Sequence, residues 1–350
     1  MKSQQTRILS ILILATLAVG VTLSVVYFSQ PTEVPTTTII PTTTTTPIQT
    51  PLDVEVNLIG EIDTGGSALS VQVDDELAFV IDFGEDTTHG LIIIDVSDPV
   101  QPEILGTFHA GGLPFAIESK DEIVYLADQL EGLRIIDISD PANPVEIEGY
   151  VGSGMAFDLE IEGDFLFMAD YEYGMVVLDI SSPSNPVFVS NLGPDCGHLE
   201  IIENIAYIAG SGRIRIVDVS DPSHPTLLGQ TIQSSSTLWD PSVSNSIIYL
   251  ANHSGDDGEL LIFDASDPSN IEEIGEFDSE GTFQSFFVQD SLLYAVDFES
   301  GLYILDVTDS TSPFEIDRFS EGQPWDVTIY DGFVYLVGSE GLQILQVTHT

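Results

Sequence analysis

Residues 52–350 predict an all-β fold of seven four-stranded antiparallel blades closed into a propeller, with one transmembrane helix ahead of it. Three observations carry this prediction. One segment recurs along the chain with a period near 40 residues, the spacing of propeller blades. Each period holds several short β-branched or aromatic runs bounded by Gly, Pro, Asn or Asp. No stretch sustains a helical period, and prolines recur too often for long helices.

The recurring segment reads GLIIIDVSDP (90–99), GLRIIDISDP (132–141), GMVVLDISSP (174–183), RIRIVDVSDP (213–222), ELLIFDASDP (259–268), GLYILDVTDS (301–310) and GLQILQVTHT (341–350). Its marker positions, Asp95, Asp137, Asp179, Asp218, Asp264, Asp306 and Gln346, lie 42, 42, 39, 46, 42 and 40 residues apart. The third copy shows how one period divides. MAFDLEI (155–161) alternates, Glu162-Gly163-Asp164 turns, FLFMAD (165–170) and GMVVLDI (174–180) follow, and PVFVSNL (186–192) comes after an SSPSNP turn. The ends of the array predict how it closes. EVNLIGEIDTGG (55–66) matches a last strand such as PEILGTFHAGG (102–112), whereas the final copy stops after its third strand. The N-terminal strand therefore fits the vacancy in the last blade and removes an exposed sheet edge.

The repeat resembles the LVIVD repeat, found in secreted and membrane-attached prokaryotic proteins, through its G-L-x-I-I-D-[VI]-S-D-P core. The resemblance covers about 300 residues and implies a β-propeller, with almost nothing about activity, because propellers host unrelated functions. Two copies depart from it: Gln346 replaces the Asp, and Asp309-Ser310 lacks the proline.

The N-terminal fifty residues read as an address. Lys2 and Arg7, in a short cytoplasmic tail (1–7), precede Ile8–Phe28, 21 residues without a charge. At ~1.5 Å per residue a helix of that length spans about 30 Å, a bilayer core. The flanking positive charges set the N-terminus inside. The run is long for a signal-peptide core and lacks an A-x-A-like site, which favours an uncleaved anchor. The stalk (29–51) carries ten threonines and five prolines, a composition for an extended, solvated spacer and for O-glycosylation. The propeller is thus expected outside a cell membrane.

Charge narrows the partners. The chain carries 7 basic and 57 acidic side chains, a net charge of −50. Such a surface repels nucleic acid and anionic headgroups, attracts divalent cations and basic partners, and keeps the protein soluble in salt. The single Cys196 excludes an intramolecular disulfide and any multi-cysteine metal site.

The recurrent Asp precedes V-S-D-P or a close variant of it in six copies and reads as turn chemistry. A second set of positions varies. In a four-stranded meander the start of the innermost strand and the end of the second share one face of the disc. Alignment places Ser70, Ala116, Asp158, His198, Asp240, Ser285 and Asp326 together near the channel mouth, each preceded by Leu69, Phe115, Phe157, Gly197, Trp239, Gln284 and Trp325. The second strands end at the same mouth in Asp82, Asp128, Asp170, Gly210, Asn252, Asp297 and Gly338. Carboxylates beside large aromatics suit a binding patch, so Asp158, Asp240, Asp326, His198, Phe157, Trp239 and Trp325 are the candidate binding residues. Two structural readings stay open: the tryptophans wedge adjacent blades, and the aspartates cap strands.

Calcium is the one cofactor these residues suggest, since hard cations take several oxygen ligands; the oxygen-rich loops 82–90 and 252–259 do not match a calcium-loop pattern. Histidines at 89, 109, 198, 224, 253 and 349 show no zinc spacing. Cys196 and His198 allow a thiol–imidazole pair to be drawn, but no nucleophile elbow, phosphate loop or dinucleotide fingerprint is present. Asn252-His253-Ser254 forms an N-glycosylation acceptor, expected on a surface loop. The sequence thus favours a cell-surface binding or scaffolding module for a protein or glycan. The competing readings are an extracytoplasmic hydrolase or lyase at the acidic mouth and a structural element of an envelope layer.

Overall fold

The computed structural model describes residues 54–84, 89–150, 155–253 and 258–349. The segment 8–28 and the stalk 29–51 lie outside them, as do parts of the loops 82–90 and 252–259. Residues Thr50–Thr350 form one compact unit.

The described residues are all β. Five sheets are four-stranded and antiparallel, and one has six strands. The third copy forms strands Ala156–Glu162, Phe165–Asp170, Gly174–Asp179 and Val187–Leu192, with Gly163 at φ 60° in the first turn. The six-stranded sheet departs from the uniform pattern. It joins the fourth and fifth copies because Thr226–Ser244 runs unbroken from the end of one into the start of the next. Elsewhere Gly-rich links such as Asp63-Thr64-Gly65-Gly66 interrupt that crossover, whereas QTIQSSSTLW (230–239) contains neither Gly nor Pro, so extended backbone persists.

Strand periodicity explains the core. In Ile123–Asp128, Val124 and Leu126 face one hydrophobic cluster while Tyr125 and Ala127 face the next. Side chains alternate across a strand, so a middle strand buried on both faces must be apolar throughout. Each described cluster straddles two successive copies of the repeat, and one of them joins Val71 and Val80 of the first copy to Tyr335 and Ile344 of the last. The inner strands Gly66–Asp74, Pro114–Lys120, Ala156–Glu162, His198–Ile202, Thr226–Ser244, Phe283–Gln289 and Pro324–Tyr330 touch in sequence, and the last touches the first.

Val54–Ile62 pairs antiparallel with Gly341–His349 in the sheet that also holds Pro324–Tyr330 and Phe333–Gly338. This accounts for Gln346. In the other copies an Asp ends the third strand and starts a turn: Asp95, Asp137, Asp179, Asp218, Asp264 and Asp306 each accept the amide two residues on, at 2.8–2.9 Å. The last copy needs no turn, because its outer strand comes from the N-terminus; Gln346 lies opposite Asn57 within a continuing strand. Asp309 still caps its turn without the proline, accepting Thr311 N at 3.1 Å.

Candidate functional site

The ladders bring the candidate mouth residues into equivalent positions. Ser70, Ala116, Asp158, His198, Ser285 and Asp326 pair with Ile81, Ala127, Ala169, Ala209, Val296 and Val337. Five inner strands bulge just before this point, leaving Leu69, Phe115, Phe157, Gln284 and Trp325 outside the ladder. A bulge re-aims the extra side chain. The fifth copy breaks its register between Trp239 and Ser242, with Asp240 at φ 45°.

The re-aimed rings of Phe115 and Phe157 meet those of Phe83 and Trp239. Phe83 lies edge-on to Phe115 at 6.5 Å, Phe115 to Phe157 at 6.0 Å and Phe157 to Trp239 at 6.5 Å. The Phe157–Trp239 contact passes over the fourth copy, where Gly197 offers no side chain. His253 stacks on Trp239 at 5.5 Å and His198 tilts against it at 4.6 Å. Trp325 instead packs on Phe298 at 4.8 Å.

The candidate aspartates stitch neighbouring copies together. Leu199 N donates to Asp158 Oδ2 at 2.9 Å, Phe286 N to Asp240 Oδ2 at 2.8 Å and Val71 N to Asp326 Oδ2 at 2.9 Å. In each case the donor follows the equivalent mouth position of the next copy. An inner strand's free edge carries amides that need partners, and these carboxylates supply them. Asp326 also accepts Ser285 Oγ at 2.7 Å and Val327 N at 2.8 Å. Burial pushes all three carboxyls up, Asp158 to about 7, against the lowering effect of those amides. Asp158 and Asp240 each feel the charge of Asp326, three copies apart in the first case.

Sequence reasoning overlooked a second tier. Glu118, Glu160 and Glu200 lie two residues beyond Ala116, Asp158 and His198, opposite Tyr125, Phe167 and Tyr207, so strand alternation puts them on the same face. Burial raises Glu118 and Glu200 to about 8 and Glu160 well above the usual range. Strand alternation was the available signal for this tier.

The second-strand termini hold their own hairpins. Asp128 Oδ1 accepts Leu130 N at 2.8 Å and Leu113 N at 3.0 Å, while Asp170 and Asp297 cap the following turns in the same way. A Cβ on Gly112 would sit 2.0 Å from the Asp128 carboxylate, so that link needs glycine. Asn252 corrects the glycosylation reading. It ends Ile247–Asn252 at 6% exposure, not on a surface loop, and its Nδ2 donates to Glu259 Oε2 at 2.9 Å.

The thiol–imidazole pair does not form a reactive dyad. Cys196 is fully buried beside Phe167 and Met175, and burial pushes its thiol up. Burial holds His198 down at about 3, with its Nδ1 3.6 Å from Asp158 Oδ2. Among the described residues no three His, Cys, Asp or Glu side chains converge to hold a metal ion. A cleft of 660 Å³ lined by Asp75, Glu76, Leu77, Asp95, Tyr330 and Asp331 opens at the turns opposite the mouth.

A repeated antiparallel sheet around a closed cycle of inner strands defines a propeller-like repeat protein, a class that commonly mediates protein interactions. The LVIVD repeat matches residues 65–109, 120–151, 153–192, 195–231, 240–279 and 280–320, well over half of the chain, which therefore belongs to the LVIVD repeat family. Solved structures of similar fold include BamB from Moraxella catarrhalis, with TM-score 0.58, 12% identity, and coverage of 85% of this chain and 99% of that one. Sqt1 from Saccharomyces cerevisiae aligns with TM-score 0.60, 12% identity, and coverage of 84% and 99%. The computationally designed Ika8 protein aligns with TM-score 0.59, 10% identity, and coverage of 83% and 99%. No curated protein matches the chain by sequence.

Proposed function

We propose that this chain is a cell-surface binding or scaffolding module: a seven-bladed propeller, sealed by its N-terminal strand and held outside the membrane by helix 8–28 and stalk 29–51, whose mouth receives a protein or glycan. The closed cycle of inner strands supports the blade count. The anchor and stalk rest on the sequence alone. One observation carries the functional reading: rings from separate copies, Phe83, Phe115, Phe157 and Trp239, gather at one end of the fold among carboxylates. A repeat that needed only to fold would place the same residue at each bulge, whereas here the bulge residue changes from copy to copy. The buried thiol and the neutral imidazole of the Cys196–His198 pair favour binding over catalysis.

The test is capture of partners by the full chain in liposomes, comparing wild type with Trp325→Ala and Phe115→Ala, both half-buried, and with the exposed outer-strand control Phe188→Ala. Loss of a captured protein or glycan in the mouth variants alone is expected. Equal capture by all four proteins would place recognition elsewhere.

A further inference from the structure

The inner wall holds acidic side chains with no basic partner. Glu118, Glu160 and Glu200 stand on three successive inner strands, with Asp158 one step above Glu160, and their carboxylates repel one another. No basic side chain answers them. The five arginines and lysines among the described residues are engaged elsewhere: Lys120 with Asp164, Arg134 with Glu146, Arg213 and Arg215 with Asp195, and Arg318 with Glu315. Burial holds the His198 imidazole well below its ordinary range. Buried carboxylates in this situation either retain protons or take a cation from outside.

Two further observations point to an external cation and to its kind. Glu200 Oε2 and His198 Nε2 are buried without a hydrogen-bond partner, so the wall has unsatisfied polar atoms. The strands that carry this acidic tier also carry the aromatic one: Phe115 and Glu118 share Pro114–Lys120, and Phe157 and Glu160 share Ala156–Glu162. Three residues of strand separate the tiers by about 10 Å. Among the described residues no three His, Cys, Asp or Glu side chains converge on a bare metal ion. Aromatic rings ahead of carboxylates suit a cation on an apolar stem.

We infer that this sector of the mouth binds an alkylammonium or guanidinium group, its stem against Phe115, Phe157 and Trp239 and its charge at Glu160, whose carboxyl lies in the field of Glu118 and Glu200. This rests on the mouth being the binding surface and specifies what it binds. The group is either a lysine or arginine side chain of a protein partner or a free organic cation.

Trp239 and Trp325 are the only two tryptophans in the chain, and both stand at the mouth, so the emission of the purified full chain reports the site. It is titrated at fixed ionic strength with acetyl-arginine amide, with a short peptide carrying one arginine, and with that peptide carrying neutral citrulline instead. A saturable emission change with arginine and none with citrulline is expected, weakened at least tenfold in Glu160→Gln and in Glu118→Gln and unchanged in the outer-rim control Glu103→Gln. Tighter binding of the peptide than of the amide assigns the cation to a protein partner; equal binding assigns it to a free small molecule. Glu→Gln preserves side-chain shape, and melting curves confirm folding. The inference is overturned if sodium or calcium reproduces the change, or if both glutamine variants keep wild-type affinity. Should arginine fail while partner capture still depends on Trp325 and Phe115, the binding module stands and the cation reading alone falls.

Discussion

Asp137 and Asp326 are the same side chain in opposite surroundings. Asp137 closes an exposed turn, where the Ser139 hydroxyl and amide hold its carboxyl below the usual range. Asp326 lies on the inner wall, where burial raises it although it accepts three hydrogen bonds. The first belongs to a set that recurs in six copies and performs one task. The second has an Asp counterpart in only two other copies, Asp158 and Asp240. Repetition therefore marks what every copy must do to fold, and variation at an equivalent position marks what the assembled ring does as a whole.

The largest effect is expected where the repeat itself fails. Deleting Val54–Ile62 strips the last sheet of its outer strand and removes Val56 and Leu58 from one cluster and Ile59 and Ile62 from another. Four partly buried side chains, at about half the ~1.5–3 kcal/mol of a fully buried one, amount to roughly 3–6 kcal/mol, a large share of a domain's stability of about 5–15 kcal/mol. Loss of the cooperative thermal transition is the expected outcome. A melting temperature equal to wild type would show that the strand does not seal the ring.

Asp326→Ala comes next. It leaves the Val71 amide without its acceptor and removes the Ser285 contact, an expected loss of about 3 kcal/mol in denaturant unfolding. Asp326→Asn retains an acceptor and is expected to lose roughly 1 kcal/mol. If alanine and asparagine prove equally stable, the carboxylate is not a stitch between copies.

Most of the fold could be read from the sequence because buried middle strands and capped turns are written locally. IVYLAD between two turns is nearly sufficient for its strand. The merging of the fourth and fifth copies was less visible, since it depends on the absence of glycine from residues 230–239 and not on a positive signal. At the site, alignment put Ser70, Ala116, Asp158, His198, Ser285 and Asp326 at one ladder position, whereas in the fifth copy Trp239 and not Asp240 pairs there. Alignment could not show that Asp158, Asp240 and Asp326 face amides of the neighbouring copy, because that contact spans 41 to 255 residues of sequence. Glu118, Glu160 and Glu200 were hidden by abundance: among 57 acids three more draw no notice until their register is known.

The inner tier should make stability fall with rising pH. Glu118, Glu160 and Glu200 have raised carboxyls in the fold and ordinary ones, near ~4.3, when unfolded. Between those values the folded state holds protons that the unfolded chain has released, so raising the pH favours unfolding. Stability should decline from about pH 5 through 8, by about 1.4 kcal/mol per pH unit for each retained proton. Glu160→Gln should flatten this slope and raise the melting temperature at pH 8. An unchanged slope in that variant would mean the inner carboxylates are solvated and ionised.

The turn aspartates should respond in the opposite direction and more weakly. Asp137 has a lowered carboxyl in the fold, so its contribution is present above the unfolded value of ~3.9 and is lost as the pH falls through the folded value. Asp137→Ala should therefore destabilise by about 0.5 kcal/mol near neutrality, the low end for an exposed side chain capping a backbone amide, and by nothing measurable at pH 2.5. Water already competes for the Ser139 amide at that site, which keeps the effect small. The same substitution at Asp95 or Asp218, where the serine hydroxyl donates at 2.6 Å, should show the same pH dependence. An effect that grew toward high pH would place these turns in the same electrostatic class as the inner wall and would erase the distinction between repeated and singular aspartates.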